Sequence, residues 1–63
     1  MTGGRLFRVL APHFVAGLVL AADRAGQWRC TEAAPILRWA LGKREAELAE
    51  YFGRKGWAYE AWP

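Results

Sequence analysis

The feature that most constrains this chain is the nine-residue run Phe14–Ala22, FVAGLVLAA, which carries no charged or hydrogen-bonding side chain. A helix crossing a bilayer needs about 20 apolar residues, so the run is too short to span one. Phe14, Val15, Val19 and Leu20 favour a strand, and turn formers bracket it, Pro12 before and Asp23 and Gly26 after. Alternation gives it two apolar faces: Phe14, Ala16, Leu18 and Leu20 on one, and Val15, Gly17, Val19 and Ala21 on the other. A strand apolar on both faces predicts cover on both, which places it in the centre of a small sheet. Gly17 interrupts the second face. A glycine inside a strand marks a bulge or the close approach of another group, and packing is favoured here over ligand contact.

With 63 residues the chain forms one domain, 1–63, with a modest core. Its single cysteine, Cys30, excludes an internal disulfide, and one Cys with one His excludes a structural zinc set; no cofactor or metal is expected. Stability therefore rests on aromatic and aliphatic packing, for which four Trp, two Tyr and three Phe are available, with a homodimer as a further aid. An unpaired cysteine suits a reducing, cytoplasmic setting. The N-terminal residues place Arg5 and Arg8 ahead of an apolar run, faintly like a secretion signal. The β-like alternation through both arginines and the Pro12-His13 junction make this stretch part of the fold instead.

Arg5–Ala11, RLFRVLA, reads as a first strand with Phe7 and Val9 on one face. Ala11-Pro12-His13 connects it tightly to the central strand, and Asp23–Gly26 supplies a hairpin turn into Gln27–Thr31. Three successive strands with short links form an antiparallel meander. At Thr31 the pattern changes: Thr31-Glu32 has capping character, Pro35 suits a first helical turn, and Ile36, Leu37, Ala40 and Leu41 recur at helical spacing up to Gly42. A second helix is predicted from Lys43 to Phe52, with Leu48 and Phe52 inward and Lys43–Glu47 and Glu50–Arg54 as exposed i,i+4 pairs. Trp57–Trp62 alternates as a fourth strand. The predicted fold is α+β: a three- to four-stranded antiparallel sheet with a broken helix on one face, and Trp39, Leu41, Leu48 and Phe52 packed on the central strand.

The inventory for catalysis is thin. The chain has no Ser and no Asn, so serine nucleophiles are excluded. His13 and Cys30 are isolated in sequence, and their meeting across adjacent strands is the one pairing open to them. No phosphate-binding glycine loop is present. These absences point to a non-enzymatic role. The net charge of +3 and pI of about 9.6 admit nucleic acid or an acidic protein surface as partner. The basic residues are more telling as a group: Arg38, the pair Lys43-Arg44, and the pair Arg54-Lys55, which lies between Tyr51-Phe52 and Trp57-Tyr59. Cations for phosphates and rings for stacking make Arg38, Lys43, Arg44, Arg54, Lys55, Trp57, Tyr59 and Trp62 the candidate partner-binding residues. Trp28 is a further exposed anchor candidate.

Two resemblances bear on this. Glu47–Gly53, ELAEYFG, is similar to the first helix and turn of a helix-turn-helix, which implies DNA binding. Arg54 stands where that family has an apolar residue, and Gly56 falls inside the recognition helix. Over most of its length, through FVAGLVL, AAPILRWALGK and RKGW, the chain resembles small phage- and prophage-encoded proteins. That resemblance implies an interaction protein that binds and blocks or modulates a host protein or nucleoprotein complex, and it transfers no residues. The alternative expectation is a DNA- or RNA-binding module. No membrane association is expected.

Overall fold

A computed structural model describes residues 4–61. Strand β1 (Arg5–Ala11) turns through Pro12-His13 into β2 (Phe14–Ala22), with register running from Ala11↔Phe14 to Arg5↔Leu20. β3 (Trp28–Ala33) pairs with the far side of β2, and β4 (Ala58–Ala61) returns to pair with β1 through Val9↔Tyr59. All pairs are antiparallel and the order is β3-β2-β1-β4, so both strands of the first hairpin are interior. Between β3 and β4 run a short 3-10 helix (Pro35–Ala40) and an α-helix, α1 (Glu45–Lys55). The architecture is α+β, a four-stranded open sheet with a broken helical layer on one face.

The β2–β3 turn is built by one carboxylate. Asp23 Oδ1 accepts the backbone N–H groups of Ala25 (2.8 Å) and Gln27 (2.9 Å), while Oδ2 accepts Arg29 Nε at 2.8 Å. Gly26 takes φ of +81°, a region closed to most side chains. β3 then continues further than its sequence suggests. Val19 opposes Glu32 and Leu20 opposes Cys30, so Thr31 is the extra residue of a bulge. Thr31 and Glu32 are thus strand residues rather than a helix cap. The bulge resets the alternation so that Cys30 and Ala33 both pack toward the core.

Pro35 opens the next element, where its missing N–H costs nothing. The coil beyond it is 3-10, with a kink at Leu37 (φ −109°, ψ 17°). Its three-residue repeat turns Leu37 and Ala40 into the core. An α-helical stripe would have used Leu37 and Leu41; instead Leu41 sits in the Gly42 turn and is exposed, and Trp39 covers the margin of the core. The chain is pulled into this turn by the edge of β3. Gly42 N–H donates to the Cys30 carbonyl at 2.8 Å, and Cys30 N–H donates to the Lys43 carbonyl at 2.9 Å. These bonds also satisfy backbone groups that an edge strand otherwise leaves open to association.

α1 begins at Glu45, and the Glu47 carboxylate accepts the Arg44 backbone N–H at 3.0 Å, one of the donors a helix start leaves unpaired. Acidic Glu45 and Glu47 in the first turn and basic Arg54 and Lys55 in the last match the helix dipole. Neither i,i+4 pair forms among the described residues; Glu47 is held by Arg44 instead, three residues away. Gly56, at φ +75°, ends the helix, and Trp57 N–H donates to the Phe52 carbonyl. The chain then enters strand β4, not a recognition helix, so the helix-turn-helix resemblance is corrected by the pairing of Ala58–Ala61 with β1.

The core lies between the sheet and the helical layer: Val9, Leu18, Leu20 and Cys30 below, Leu37, Ala40, Leu48 and Phe52 above. Phe52 is its hub, with ring centroids of Tyr59 at 5.5 Å, Trp39 and Trp57 at 6.1 Å and Tyr51 at 6.2 Å. Phe14 and Trp57 meet edge to face at 5.3 Å and join the end of the hairpin to this cluster. The other face of the sheet differs from expectation. Val15, Gly17, Val19 and Ala21 have no element over them among the described residues, and Val15 is 61% exposed. β2 is interior in its sheet but covered on one side only.

Candidate binding surface

The sequence-selected basic residues divide between two places. Lys43, Arg54 and Lys55 border adjoining hollows on the outer side of the helical layer, together with Trp39, Tyr51, Glu47 and Glu50. Arg38 is exposed on the 3-10 helix and borders neither hollow. Arg44 lies apart, beside Gly26, Gln27, Trp28 and Ala46, and its Nε is 3.5 Å from Glu47 Oε1.

The aromatic candidates are placed differently from the cations. Trp57 and Tyr59 are half-buried at the core margin, where Trp57 meets Phe14, Tyr51 and Phe52, and Tyr59 meets Phe7 and Phe52. Burial pushes the Tyr59 hydroxyl's pKa above its ordinary value, with the Glu45 carboxylate adding to the effect. Trp62 lies outside the described residues. The ring that accompanies the cations is Trp39, 39% exposed and 4.5 Å from Tyr51 between centroids, with Lys55 Nζ 5.8 Å from the Tyr51 ring. Trp39 reads in sequence as core because α-helical spacing puts it beside Leu37 and Leu41. Pro35 and the nearby Gly42 are the signals for a shorter, tighter coil that turns it outward.

The charge around these rings is mixed. Lys43, Arg54 and Lys55 form no ion pair among the described residues, and Glu47 and Glu50 share the rim with them. Arg44's backbone N–H, helped by its side chain, holds the Glu47 carboxyl below its ordinary pKa, so it is charged at neutral pH. Trp28 is also part-exposed, on the helical side at the end of the sheet, beside Arg5, Phe7 and Glu45.

The two groups with conventional reactivity do not meet. His13 is exposed in the β1–β2 turn, whereas Cys30 opposes Leu20 at the other end of β2, about 20 Å along the strand. Cys30 is buried, its Sγ lies 3.3 Å from the Glu32 carbonyl, and burial pushes its thiol above the ordinary pKa. Among the described residues no three His, Cys, Asp or Glu side chains gather into a metal-binding group, and no helix is long and apolar enough to cross a membrane. Comparison with protein-family models, with curated proteins and with solved structures found no match.

Proposed function

We propose that this chain is a small, non-enzymatic binding protein that engages an acidic patch on a partner protein through Trp39, Tyr51, Lys43, Arg54 and Lys55. The observation that carries this reading is the part-exposed Trp39 ring, fixed at 4.5 Å against Tyr51 and bordered by three cations without ion-pair partners among the described residues. A rigid aromatic anchor ringed by charge is the chemistry of a protein-interface hot spot. Glu47 and Glu50 on the same rim fit a mixed protein surface better than a run of phosphates. The mode of action is occupation of a host protein or nucleoprotein complex, which suits the resemblance to small phage- and prophage-encoded proteins. The setting is cytoplasmic.

The test is affinity capture on immobilised protein after nuclease treatment, comparing wild type with Trp39→Ala and Arg54→Glu. A partner retained by the wild type and lost from both folded variants supports the reading. An identical retained set for all three refutes it.

Nucleic-acid binding is the second reading, favoured by the same three cations beside an exposed indole. If Arg38, Lys43, Arg54 and Lys55 all contact phosphates, log affinity falls against log salt with a slope of about −3 to −4. Titration of labelled single- and double-stranded DNA and RNA across salt checks it, and no binding at low salt removes it.

A further inference from the structure

The uncovered face of the sheet has a composition that needs an occupant. Leu6 (44% exposed), Leu10, Val15, Val19 and Ala21 stand on it in adjoining rows of β1 and β2, with Arg8 between Leu6 and Leu10 opposite Gly17. A hollow of about 300 Å³ opens beside Gly17 toward β3, bordered by Leu6, Val19, Glu32 and Ala33. The glycine is not demanded by the fold of the single chain. A Cβ at position 17 would lie 3.5 Å from Leu6 Cδ1 and 3.7 Å from the Phe7 carbonyl oxygen, both ordinary contacts, and the backbone φ is not positive.

We infer that this face is the interface of a homodimer, the occupant being the same face of a second copy. Two observations select a second copy. The first is size. Four strands at about 4.8 Å spacing and about seven residues at 3.4 Å rise make a face of roughly 450 Å² in plan. With the relief of its side chains it approaches the roughly 600–800 Å² that each member of a small specific pair buries.

The second is charge. The chain carries a net +3, which opposes self-association, yet the two arginines on this face are paired with carboxylates, while Glu32, opposite Val19, forms no ion pair among the described residues. Arg8 is paired with Glu60, its Nε 2.6 Å from Oε2, and Arg29 is paired with Asp23 at 2.8 Å. The cations without ion pairs at Lys43, Arg54 and Lys55 are on the opposite, helical side. Two copies therefore meet through this face with little like-charge repulsion.

The relief of the face is self-complementary. Val15, its most exposed apolar side chain, and the Gly17 hollow lie two residues apart on one strand. A two-fold axis crossing β2 at Ala16 sets each Val15 over the partner's hollow, the reciprocal arrangement an isologous interface requires. The two sheets stack as the inner layers of a sandwich. Both helical layers then face outward, and the dimer presents two copies of the Trp39–Tyr51 surface on opposite sides.

Sedimentation equilibrium from about 5 to 500 μM tests this, on the wild type and on Val15→Lys, Gly17→Ala and Arg54→Glu, with folding of each checked by circular dichroism. The expected result is a wild-type mass of twice 7.1 kDa at the upper concentrations. Val15→Lys should weaken the dimer at least about tenfold, because burying a charge in place of an apolar side chain costs more than the 1.4 kcal/mol that a factor of ten represents. Gly17→Ala, which puts a methyl group into the hollow with only ordinary contacts inside the protomer, should weaken it as well, and Arg54→Glu should leave it unchanged. A wild type that stays monomeric at 500 μM overturns the inference and leaves the face to a different partner. So does a dimer that neither Val15→Lys nor Gly17→Ala weakens, or one that Arg54→Glu dissolves.

Discussion

Replacing Phe52 by Ala should remove most of the stability of this chain. Phe52 is 1% exposed and touches the rings of Trp39, Tyr51, Trp57 and Tyr59, so it ties α1 to the 3-10 helix, to β4 and to the chain between. Truncating a buried Phe to Ala costs about 3–5 kcal/mol, through lost transfer free energy and the cavity left behind. At roughly 0.05–0.15 kcal/mol per residue, a chain of 63 residues has only about 3–9 kcal/mol in all. Phe52→Ala should therefore populate the unfolded state measurably at 25 °C. Phe52→Leu keeps most of the volume and loses the ring-edge contacts, for a cost of about 1–2 kcal/mol. With a urea dependence of about 1 kcal/mol per molar for a protein this small, the leucine variant's midpoint should fall by about 1–2 M. The assay is urea unfolding followed by far-ultraviolet circular dichroism at one fixed protein concentration, because self-association would add to apparent stability. Trp39→Ala is the comparison. Its ring is part-exposed, so its loss should cost less than half as much as Phe52→Ala. A Phe52→Ala midpoint within about 0.5 M of wild type, or a Trp39→Ala cost equal to it, would refute the hub role.

Three further expectations concern the turns and the thiol. The Arg29 side chain, then the Gln27 backbone N–H, holds the Asp23 carboxyl below its ordinary 3.8, so its contribution is present above that value and lost as pH falls through the lower folded one. The urea midpoint of Asp23→Asn should lie below wild type at pH 7, and the gap should narrow by pH 2; a gap that widens in acid contradicts the assignment. Two glycines should respond with opposite sign. Gly53→Ala, inside α1 with open space around its Cβ, should stabilise by up to about 1 kcal/mol, whereas Gly56→Ala, at φ +75°, should destabilise by about 1 kcal/mol. Thermal melts of the pair check this, and equal shifts would exclude it. Cys30, buried and with its thiol pushed toward the protonated form, should react with a thiol reagent far more slowly in buffer than in denaturant. Comparable rates would mean that the β3 edge opens readily.

The strands were legible because their signals are local. Alternation in Arg5–Ala11 and the apolar run after Pro12-His13 fix a hairpin, and Asp23 with Gly26 fixes the next turn. Leu48 and Phe52, one turn apart between acidic and basic ends, specify the inner face of α1. The features that sequence misplaced depend on non-local bonds. The bulge at Thr31 exists because Glu32 and Cys30 each pair across to β2, and no residue in QWRCTE announces it. The 3-10 helix results from Gly42 and Lys43 bonding to Cys30, twelve and thirteen residues back, which leaves too little chain for a relaxed α-helix. That one constraint moved Trp39 and Leu41 outward, and with them the centre of the candidate surface. The cations at Lys43, Arg54 and Lys55 were visible as clusters; their ring partner was not.

The distribution of polarity also explains why one small chain carries two surfaces. Among the described residues, a single helical layer of seventeen residues covers one side of a four-stranded sheet and nothing covers the other. The apolar residues of β1 and β2 are nevertheless placed on both sides, with Val9, Leu18 and Leu20 inward and Leu6, Leu10, Val15 and Val19 outward. A protomer working alone buries the second set only in part, with Leu6 and Val15 exposed, and an exposed sheet face of this kind is an association hazard. If two sheets stack, the same residues become the centre of a four-layer particle whose outer layers carry Trp39 and its cations. Bivalency is then a property of the fold: two weak contacts at fixed spacing hold a repeated or symmetric partner far more tightly than either does alone. Val15→Lys separates these roles, because it should leave a single contact surface intact on a monomer. Its binding to a symmetric partner should fall to the single-site level while Trp39→Ala abolishes binding altogether; equal losses in the two variants would mean that the two faces form one site.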